Sequence, residues 1–386
     1  MDGGKRAFGA IVAFGAVVTF VGAVAAFVGA LNGAWTTRAR ATTDASDAVK
    51  VAVASTMSAS APTMEIAQWK TYHRKIGVYR FYLFFDGDDD GRSRCGARRR
   101  EKDVTCFDKR TSTAHFTKSP LLGHPSLGPY VTSRCGARAL FVRQTVNLEL
   151  ALEAARVDGV DWLIHIDADE LIYPANGESP RSARTNTFDV RYVLANLPRN
   201  VTRVVFPNYE AVPEHLVLHS NASSLFRSTT LFKRNHLHVD KEVYAKYRTI
   251  ASNGNANYFL AYANGKSAVR VASKGVRPHG AHRFMTALGR EIVLDEGAIL
   301  HFAFVDLERA RRRIHRCDCP DSEFRNCSML DFDIELRQRA ALGARDFEEF
   351  FGQRVVVNSE LTRRLLKVGI FTRIFSPSLL FLGVKN

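Results

Sequence analysis

One short segment constrains the fold and the chemistry of this chain more than any other. Residues 162–166 (WLIHI) are almost wholly apolar, and the acids Asp167, Asp169 and Glu170 follow directly. Such a short apolar run between polar residues is typical of a strand buried in a parallel sheet. Side chains alternate along a strand, so two acids separated by one residue point the same way. The segment therefore predicts a buried strand with a pair of carboxylates at its end.

Strand and helix patterns alternate around this segment. The predicted elements are strands over 49–57, 79–85 and 114–118 and helices over 64–75 and 141–158. Alternation at this spacing is typical of βαβ units, so we expect an α/β fold with a mainly parallel sheet. Ligands bind such sheets beyond the carboxyl ends of the strands. Asp86 and Asp167 both fall at predicted strand ends of this kind.

The amino terminus predicts a membrane anchor. Residues 7–31 contain no charged side chain, and a helix of that length crosses a hydrocarbon core of about 30 Å. A cleaved signal peptide is the alternative, since residues 23–25 (AVA) resemble a cleavage site, but the apolar run exceeds the usual ~7–15 residues. We expect a cytosolic tail over 1–6, a transmembrane signal anchor over 7–31 and a stem over 32–48.

The body of the protein is expected in a secretory compartment. Asn200, Asn221 and Asn326 each begin an N-glycosylation sequon, which favours a lumenal location. We predict a single-pass type II protein of the Golgi membrane, with the plasma membrane as the alternative. Its catalytic domain is expected over 49–305, with a helical carboxyl-terminal extension over 306–386 packed on it.

The net charge and the cysteines agree with a location in a secretory compartment. Lys and Arg total 54 against 39 Asp and Glu, a formal net charge of +15, which suits nucleic acid, anionic membranes or acidic small molecules. A lumenal domain does not meet chromosomal DNA, so no nucleic-acid partner is expected. The basic runs 92–102 and 309–316 are interpreted as surface for anionic glycans or lipid headgroups. Among the 6 cysteines, the spacing near residue 317 fits no familiar zinc site, so disulfides are favoured and no pairing is assigned.

The paired acids predict a divalent cation. Asp167 and Asp169 together suit Mg²⁺ or Mn²⁺, which takes one or two protein carboxylates and completes its shell with water and phosphate oxygens. The alternative is a solvated turn or an acidic helix N-cap. Imidazole is a competent further ligand, which makes His279, His282 and His301 candidates.

A second acidic run follows the strand predicted over 79–85. It superficially matches a calcium loop, but its twelfth position is Ala97 and a strand precedes it, so the calcium reading is rejected. Asp86 and Asp90 are instead predicted to bind the nucleoside of a nucleotide ligand, as acids do at the second strand of nucleotide folds. A solvated acidic turn is the alternative.

Several segments of the sequence resemble those of a known family. The segments WKTYHRKIGVYRFYLFFDGDDDG and HIDADELIYP resemble the acidic-turn and Asp-x-Asp motifs of glycosyltransferases of the family 2 and family 92 type. The later blocks VVFPNYE, NYFLAYANGKSAVRV, RPHGAHRF, LDEGAILHFAF, RCDCP and GIFTRIFSP look most like the plant glycosyltransferase-like KOBITO group. The chain departs from the family pattern in the loop STMSASAPTME, where many relatives have an Asn-Glu pair.

The resemblance implies a GT-A fold, which is Rossmann-like, and a divalent metal. It also implies a UDP- or GDP-sugar donor, a single-pass anchor, inversion at the anomeric carbon and a link to cell-wall or cell-surface polysaccharide. The predicted function is the transfer of a sugar from a nucleotide sugar to a glycan acceptor. The alternative is a catalytically inactive scaffold of the same fold, motivated by the altered loop.

The remaining site residues are expected as follows. Lys266 and Arg270 are predicted to contact the donor phosphates, with a solvated strand face as the alternative. Glycosyl transfer needs a base that takes the proton of the acceptor hydroxyl. The candidates are Glu210, named first, and Asp295 and Glu296. Among the histidines, His282 and His301 are preferred because they fall in blocks that match the family.

Overall fold

The computed structural model describes residues 48–86, 95, 101–131, 133, 136–175, 188–216, 225–314 and 328–380. The strands are Val51–Ser58 (β1), Val78–Asp86 (β2), Val104–Phe107 (β3), Trp162–His165 (β4), Glu170–Tyr173 (β5), Val201–Phe206 (β6), Asn208–Ala211 (β7), Leu231–Lys233 (β8), Lys266–Arg270 (β9), Arg277–Pro278 (β10), Phe284–Met285 (β11), Arg290–Val293 (β12), Ala298–His301 (β13) and Phe371–Arg373 (β14). The helices are Thr63–Lys75 (α1), Lys109–Phe116 (α2), Gly128–Val131 (α3), Gly136–Val157 (α4), Val190–Ala195 (α5), Leu225–Ser228 (α6), Lys241–Ala251 (α7), Leu307–Ile314 (α8), Asp331–Leu342 (α9), Ala344–Val355 (α10), Ser359–Lys367 (α11) and Ser376–Leu380 (α12).

The central sheet has the strand order β12-β6-β9-β4-β1-β2-β3. Neighbours pair in parallel except at β9, which runs antiparallel to both β6 and β4. This is the mainly parallel α/β sheet that the sequence predicts, and it is compatible with a Rossmann-like fold. Its carboxyl edge, where β1, β2 and β4 end, is the edge at which such sheets bind ligands.

A second sheet continues from that edge. Its order is β14-β8-β7-β13-β5, and β5 begins at Glu170, immediately after the turn that leaves β4. The chain therefore passes from the central sheet to the second sheet through Asp167 and Asp169. These two acids lie where the two sheets meet.

Both faces of the central sheet are covered. Along β1, Val51 and Val53 belong to the apolar cluster that contains residues of α1, and Ala52 and Ala54 belong to the cluster that contains residues of α4. All four side chains are at most 1% exposed. Alternating side chains buried on both faces are expected for a strand inside a parallel sheet.

Most predicted elements are confirmed, and one is wrong. The strand predicted over 114–118 is absent, because residues 109–116 form the helix α2 and the third strand is Val104–Phe107. The helix begins at this place because the Asp108 side chain caps it, accepting a hydrogen bond from Thr111 N at 2.9 Å. The prediction relied on short-range strand propensity and missed this N-cap.

Beyond residue 306, the described residues are mainly helical, with α8 to α12, and add the short strand β14 to the second sheet. Cys95 and Cys106 form a disulfide. Within the described ranges no helix is both long and apolar enough to span a membrane. The anchor predicted over 7–31 lies outside those ranges.

A buried histidine in α1 gives a testable pH dependence. The His73 Nδ1–H donates to Trp69 O at 2.8 Å, and its Nε2 accepts from Ile172 N at 3.3 Å, so the ring is neutral. Burial lowers the pKa of His73 to about 3. Because the unfolded pKa is higher, near 6.5, the stability from the neutral ring is present above pH 6.5 and is lost as the pH falls towards 3.

We therefore expect the free energy of unfolding of wild type to fall by about 1.6 kcal/mol more than that of His73→Phe between pH 6.5 and pH 5. Phenylalanine retains a ring but cannot titrate. Urea unfolding of both proteins at a series of pH values measures this difference. Parallel stability curves for the two proteins would contradict it.

Candidate active site at the carboxyl edge of the central sheet

The turn between β4 and β5 is held by hydrogen bonds from several elements. Within the turn, Asp167 N donates to Glu170 Oε2 at 2.7 Å. The indole of Trp69 in α1 donates to Glu170 O at 2.9 Å, and Phe302 N, just after β13, donates to Asp169 O at 2.9 Å. The two acids are therefore presented by a rigid backbone.

Asp167, whose side chain is 23% exposed, is the centre of a cluster of charged side chains. Lys266 Nζ lies 2.6 Å from Asp167 Oδ2 and 3.5 Å from Glu170 Oε2, and Gln144 Nε2 donates to Asp167 Oδ1 at 2.8 Å. The side chains of Lys266 and Glu170 are both 0% exposed. Burial opposes the ionisation of Asp167 and of Lys266, but their mutual attraction outweighs it, so the pKa of Asp167 is lowered and that of Lys266 is raised. Asp167 is thus neutralised by a cation that belongs to the protein.

Asp169 has a different environment. Its Oδ1 faces His301 Nε2 at 3.9 Å, beyond hydrogen-bond distance, and its side chain is 18% exposed. Burial would raise the pKa of Asp169, but the neighbouring His301, Arg309 and Arg313 lower it. Asp169 is therefore an ionised carboxylate within reach of a ligand.

Tyr262 joins the two sides of the site. Its hydroxyl donates to Glu170 Oε1 and lies 3.4 Å from Asp167 Oδ2. Its ring centroid is 4.5 Å from that of His282 and 4.8 Å from that of His301. Sequence reasoning missed this residue, because no periodicity or spacing in residues 257–266 relates it to acids about a hundred positions away.

The predicted metal ligands are only partly brought together. His282 Nδ1 donates to Gly265 O at 3.0 Å, His279 is exposed, and Asp167 is bonded to Lys266. The described residues contain no group of three or more His, Cys, Asp or Glu that could hold a metal ion. Asp169 Oδ1 and His301 Nε2 nevertheless face each other at 3.9 Å, and two protein ligands suffice for Mg²⁺ or Mn²⁺ when a substrate phosphate and water complete the shell. The donor set fits a cation at this pair.

Asp86 lies at the same edge, at the end of β2. Arg143 of α4 forms a bidentate pair with it, with Nε to Oδ1 and Nη2 to Oδ2 both at 2.8 Å. The next residue, Gln144, binds Asp167, so α4 links the ends of β2 and β4. Asp90 lies outside the described residues.

The two cations predicted for the donor phosphates lie apart. Lys266 begins β9 beside Asp167 but is fully buried. Arg270 ends β9, and because β9 is antiparallel to β4 it pairs with Trp162 at the start of β4. There its guanidinium donates to Val201 O at 2.8 Å and stacks 4.4 Å from the Trp162 ring. Arg270 is therefore at the opposite edge of the sheet from Asp167 and lies outside the proposed site.

Of the three predicted bases, one is engaged in an ion pair and a hydrogen bond, and the other two lie away from Asp169. Glu210 is 2% exposed, and its two oxygens bind Lys233 Nζ at 3.2 Å and Ala261 N at 2.9 Å. Asp295 and Glu296 are exposed, but they precede β13 and so lie at the end of that strand opposite His301.

Two further cations lie beside the site. Arg309 and Arg313 stand one turn apart on α8, and both contribute positive charge at Asp169. Arg309 Nη1 binds Glu65 of α1 at 2.8 Å, and Arg313 Nε binds Asp333 of α9 at 2.7 Å. The sequence interpretation placed this basic run on the surface. The spacing of four residues, which puts both side chains on one face of a helix, was the signal available to find them.

Comparison with known proteins adds the class. No family model matches the chain. A protein of Arabidopsis thaliana described as glycosyltransferase-like is 32% identical over 345 residues, covering 88% of this chain and 73% of the relative. A second Arabidopsis thaliana protein with the same description is 31% identical over 350 residues, covering 88% of this chain and 64% of that relative. The chain belongs to this family of glycosyltransferase-like proteins.

Proposed function

We propose that the chain is a glycosyltransferase that binds a nucleotide-sugar donor at the carboxyl edge of the central sheet. The observation that carries this proposal is the Asp167–Asp169 turn at the end of a buried strand, at the same edge of the sheet as Asp86, in a family described as glycosyltransferase-like. An ionised carboxylate such as Asp169 at this edge of a mainly parallel sheet is suited to a phosphorylated ligand accompanied by a cation.

Different residues would bind different parts of the donor. Asp86, held by Arg143, would bind the nucleoside. Asp169 and His301 would hold Mg²⁺ or Mn²⁺, and a cation bound there supplies a Lewis acid that neutralises the leaving diphosphate. Asp167, neutralised by Lys266, keeps the turn in place and is not required as a metal ligand.

The reaction is proposed as a single displacement with inversion. The bond from the anomeric carbon to the diphosphate oxygen breaks, and its electron pair leaves with the nucleoside diphosphate. The acceptor hydroxyl oxygen forms the new glycosidic bond, and its proton passes to a base. Inversion at the anomeric carbon is inferred from the resemblance to glycosyltransferases of the family 2 and family 92 type and to the KOBITO group. That resemblance and the GT-A assignment are themselves part of this proposal.

The cellular setting is a further part of the proposal. We propose a single-pass anchor over 7–31, a Golgi location and a role in cell-wall or cell-surface polysaccharide synthesis, supported by the uncharged run over 7–31 and the plant relatives. The first sequon supports a lumenal body, because Asn200 is exposed in the turn before β6. Mass spectrometry that finds a glycan on Asn200 would support this setting, and an unmodified Asn200 in protein from its native membranes would count against it.

The function is tested with the purified full-length chain in detergent. UDP- and GDP-sugars are screened by thermal shift and by release of the nucleoside diphosphate, with Mn²⁺ or with EDTA. We expect one donor to raise the melting temperature and to be turned over. Asp169→Asn should lower turnover at least a hundredfold, whereas Asp346→Asn, the same change at an exposed acid of α10, should have no effect. Failure of every donor to bind would overturn the proposal.

A non-catalytic scaffold is the second candidate. The Lys266–Asp167 ion pair favours it, because it removes one carboxylate of the predicted metal pair, and so does the departure in the loop after β1. A scaffold predicts that Asp169→Asn still rescues a line of the source organism that lacks the protein. Loss of rescue with Asp169→Asn, but not with Asp346→Asn, would exclude it.

A further inference from the structure

We infer that Arg309 and Arg313 form the site that holds the diphosphate of the donor. This inference rests on the proposed function, which gives the ligand its chemical class, and it assigns to the diphosphate two residues that the sequence interpretation placed on the outer surface.

The backbone brings these arginines to Asp169. β13 ends at His301, which faces Asp169, and the next residue, Phe302, donates its N–H to Asp169 O at 2.9 Å. The helix α8 begins five positions later, at Leu307. The short connection keeps the first turns of α8 next to the β4–β5 turn.

The side chains of α8 divide by face. Leu307, Ala310 and Ile314 are buried in an apolar cluster, at the spacing of one helical stripe. Arg309 and Arg313, at i and i+4, share a neighbouring face. Their side chains are 12% and 21% exposed, so they are packed into the protein but open to a ligand.

Each arginine is held in place by a partner on another helix. Glu65 binds Arg309, and one turn further along α1 Trp69 donates to Glu170 O, which fixes Arg309 near the acidic turn. Asp333 binds Arg313, whose guanidinium also stacks 4.8 Å from the Phe304 ring. These ion pairs use one nitrogen of each guanidinium, and a guanidinium has five N–H donors. The remaining donors suit the bidentate recognition of phosphate.

The alternatives for the diphosphate are weaker. Lys266 is fully buried and pairs with Asp167 and Glu170, and Arg270 lies at the other edge of the sheet. Arg309 and Arg313 instead lie on the helix that follows β13, and the last residue of β13, His301, faces the carboxylate that is proposed to share a cation with the donor.

The test compares diphosphates with nucleosides. Binding of UDP, GDP, inorganic pyrophosphate, uridine and guanosine to the full-length chain is measured calorimetrically for wild type, Arg309→Gln, Arg313→Gln and Arg312→Gln. Arg312 is exposed on the same helix and is the matched control. We expect the affinity for the nucleoside diphosphate and for pyrophosphate to fall about tenfold to a hundredfold in the first two variants. The affinity for the nucleoside should be unchanged, and Arg312→Gln should behave as wild type.

The outcomes separate the two proposals. If wild type binds no nucleoside diphosphate, the proposed function fails. If wild type binds one and both variants bind it equally well, the inference is overturned while the function stands. Arg309→Lys and Arg313→Lys keep the positive charge and control for misfolding of the glutamine variants. We expect them to lose less affinity than the glutamine variants, and again only for diphosphates. An equal loss for nucleoside and diphosphate would indicate a structural role and overturn the inference.

Discussion

Lys266→Met is expected to lower the free energy of unfolding by about 3–5 kcal/mol, because removing one partner of a buried ion pair leaves the other charge uncompensated. Methionine has a similar length and no charge. The change would leave Asp167 and Glu170 close together without the ammonium that lies 2.6 Å and 3.5 Å from their oxygens. Urea unfolding at pH 7 measures the loss.

Two further variants make this prediction specific. Lys241→Met is the matched control, because Lys241 is exposed at the start of α7, and its stability should change by less than about 0.5 kcal/mol. Combining Lys266→Met with Asp167→Asn should restore part of the lost stability, since the double variant removes a charge of each sign. If Lys266→Met costs no more than the control, the ion pair does not hold the turn.

The local elements of the central sheet were predictable because they depend on short-range patterns. The apolar run at 162–166 gives β4, and the apolar spacing in 141–158 gives most of α4. Both signals lie within a few residues of the element that they specify. The fold class followed from the order of such elements, because parallel strands joined by helices bury both faces of a sheet.

The contacts of the site depend instead on topology. Asp167 meets Lys266 across 99 positions and Arg309 meets Glu65 across 244. The direction of β9 decides that Lys266 lies beside Asp167 while Arg270 lies at the far edge. Periodicity shows that both residues are in a strand and that they share a face, but it does not show which way the strand runs.

Glu210→Gln is expected to destabilise the protein without impairing transfer. Glu210 and Lys233 lie opposite each other on β7 and β8, with side chains only 2% and 6% exposed. Glutamine retains an oxygen for Ala261 N but leaves the Lys233 ammonium without its carboxylate. We expect the free energy of unfolding to fall by about 3 kcal/mol, as for other broken buried pairs.

Turnover distinguishes this structural role from the role of a base. Loss of a general base lowers the rate by about 10²–10⁴-fold. Because both oxygens of Glu210 are already occupied and its side chain is buried, an acceptor hydroxyl cannot reach it without breaking the pair with Lys233. We therefore expect Glu210→Gln, assayed below its melting temperature, to keep its turnover within about threefold of wild type, far short of the loss expected for a base. The double variant Glu210→Gln with Lys233→Met should recover part of the stability at the same turnover, because it also removes the uncompensated charge of the Lys233 ammonium. A hundredfold loss of turnover in a folded Glu210→Gln protein would return Glu210 to the catalytic site.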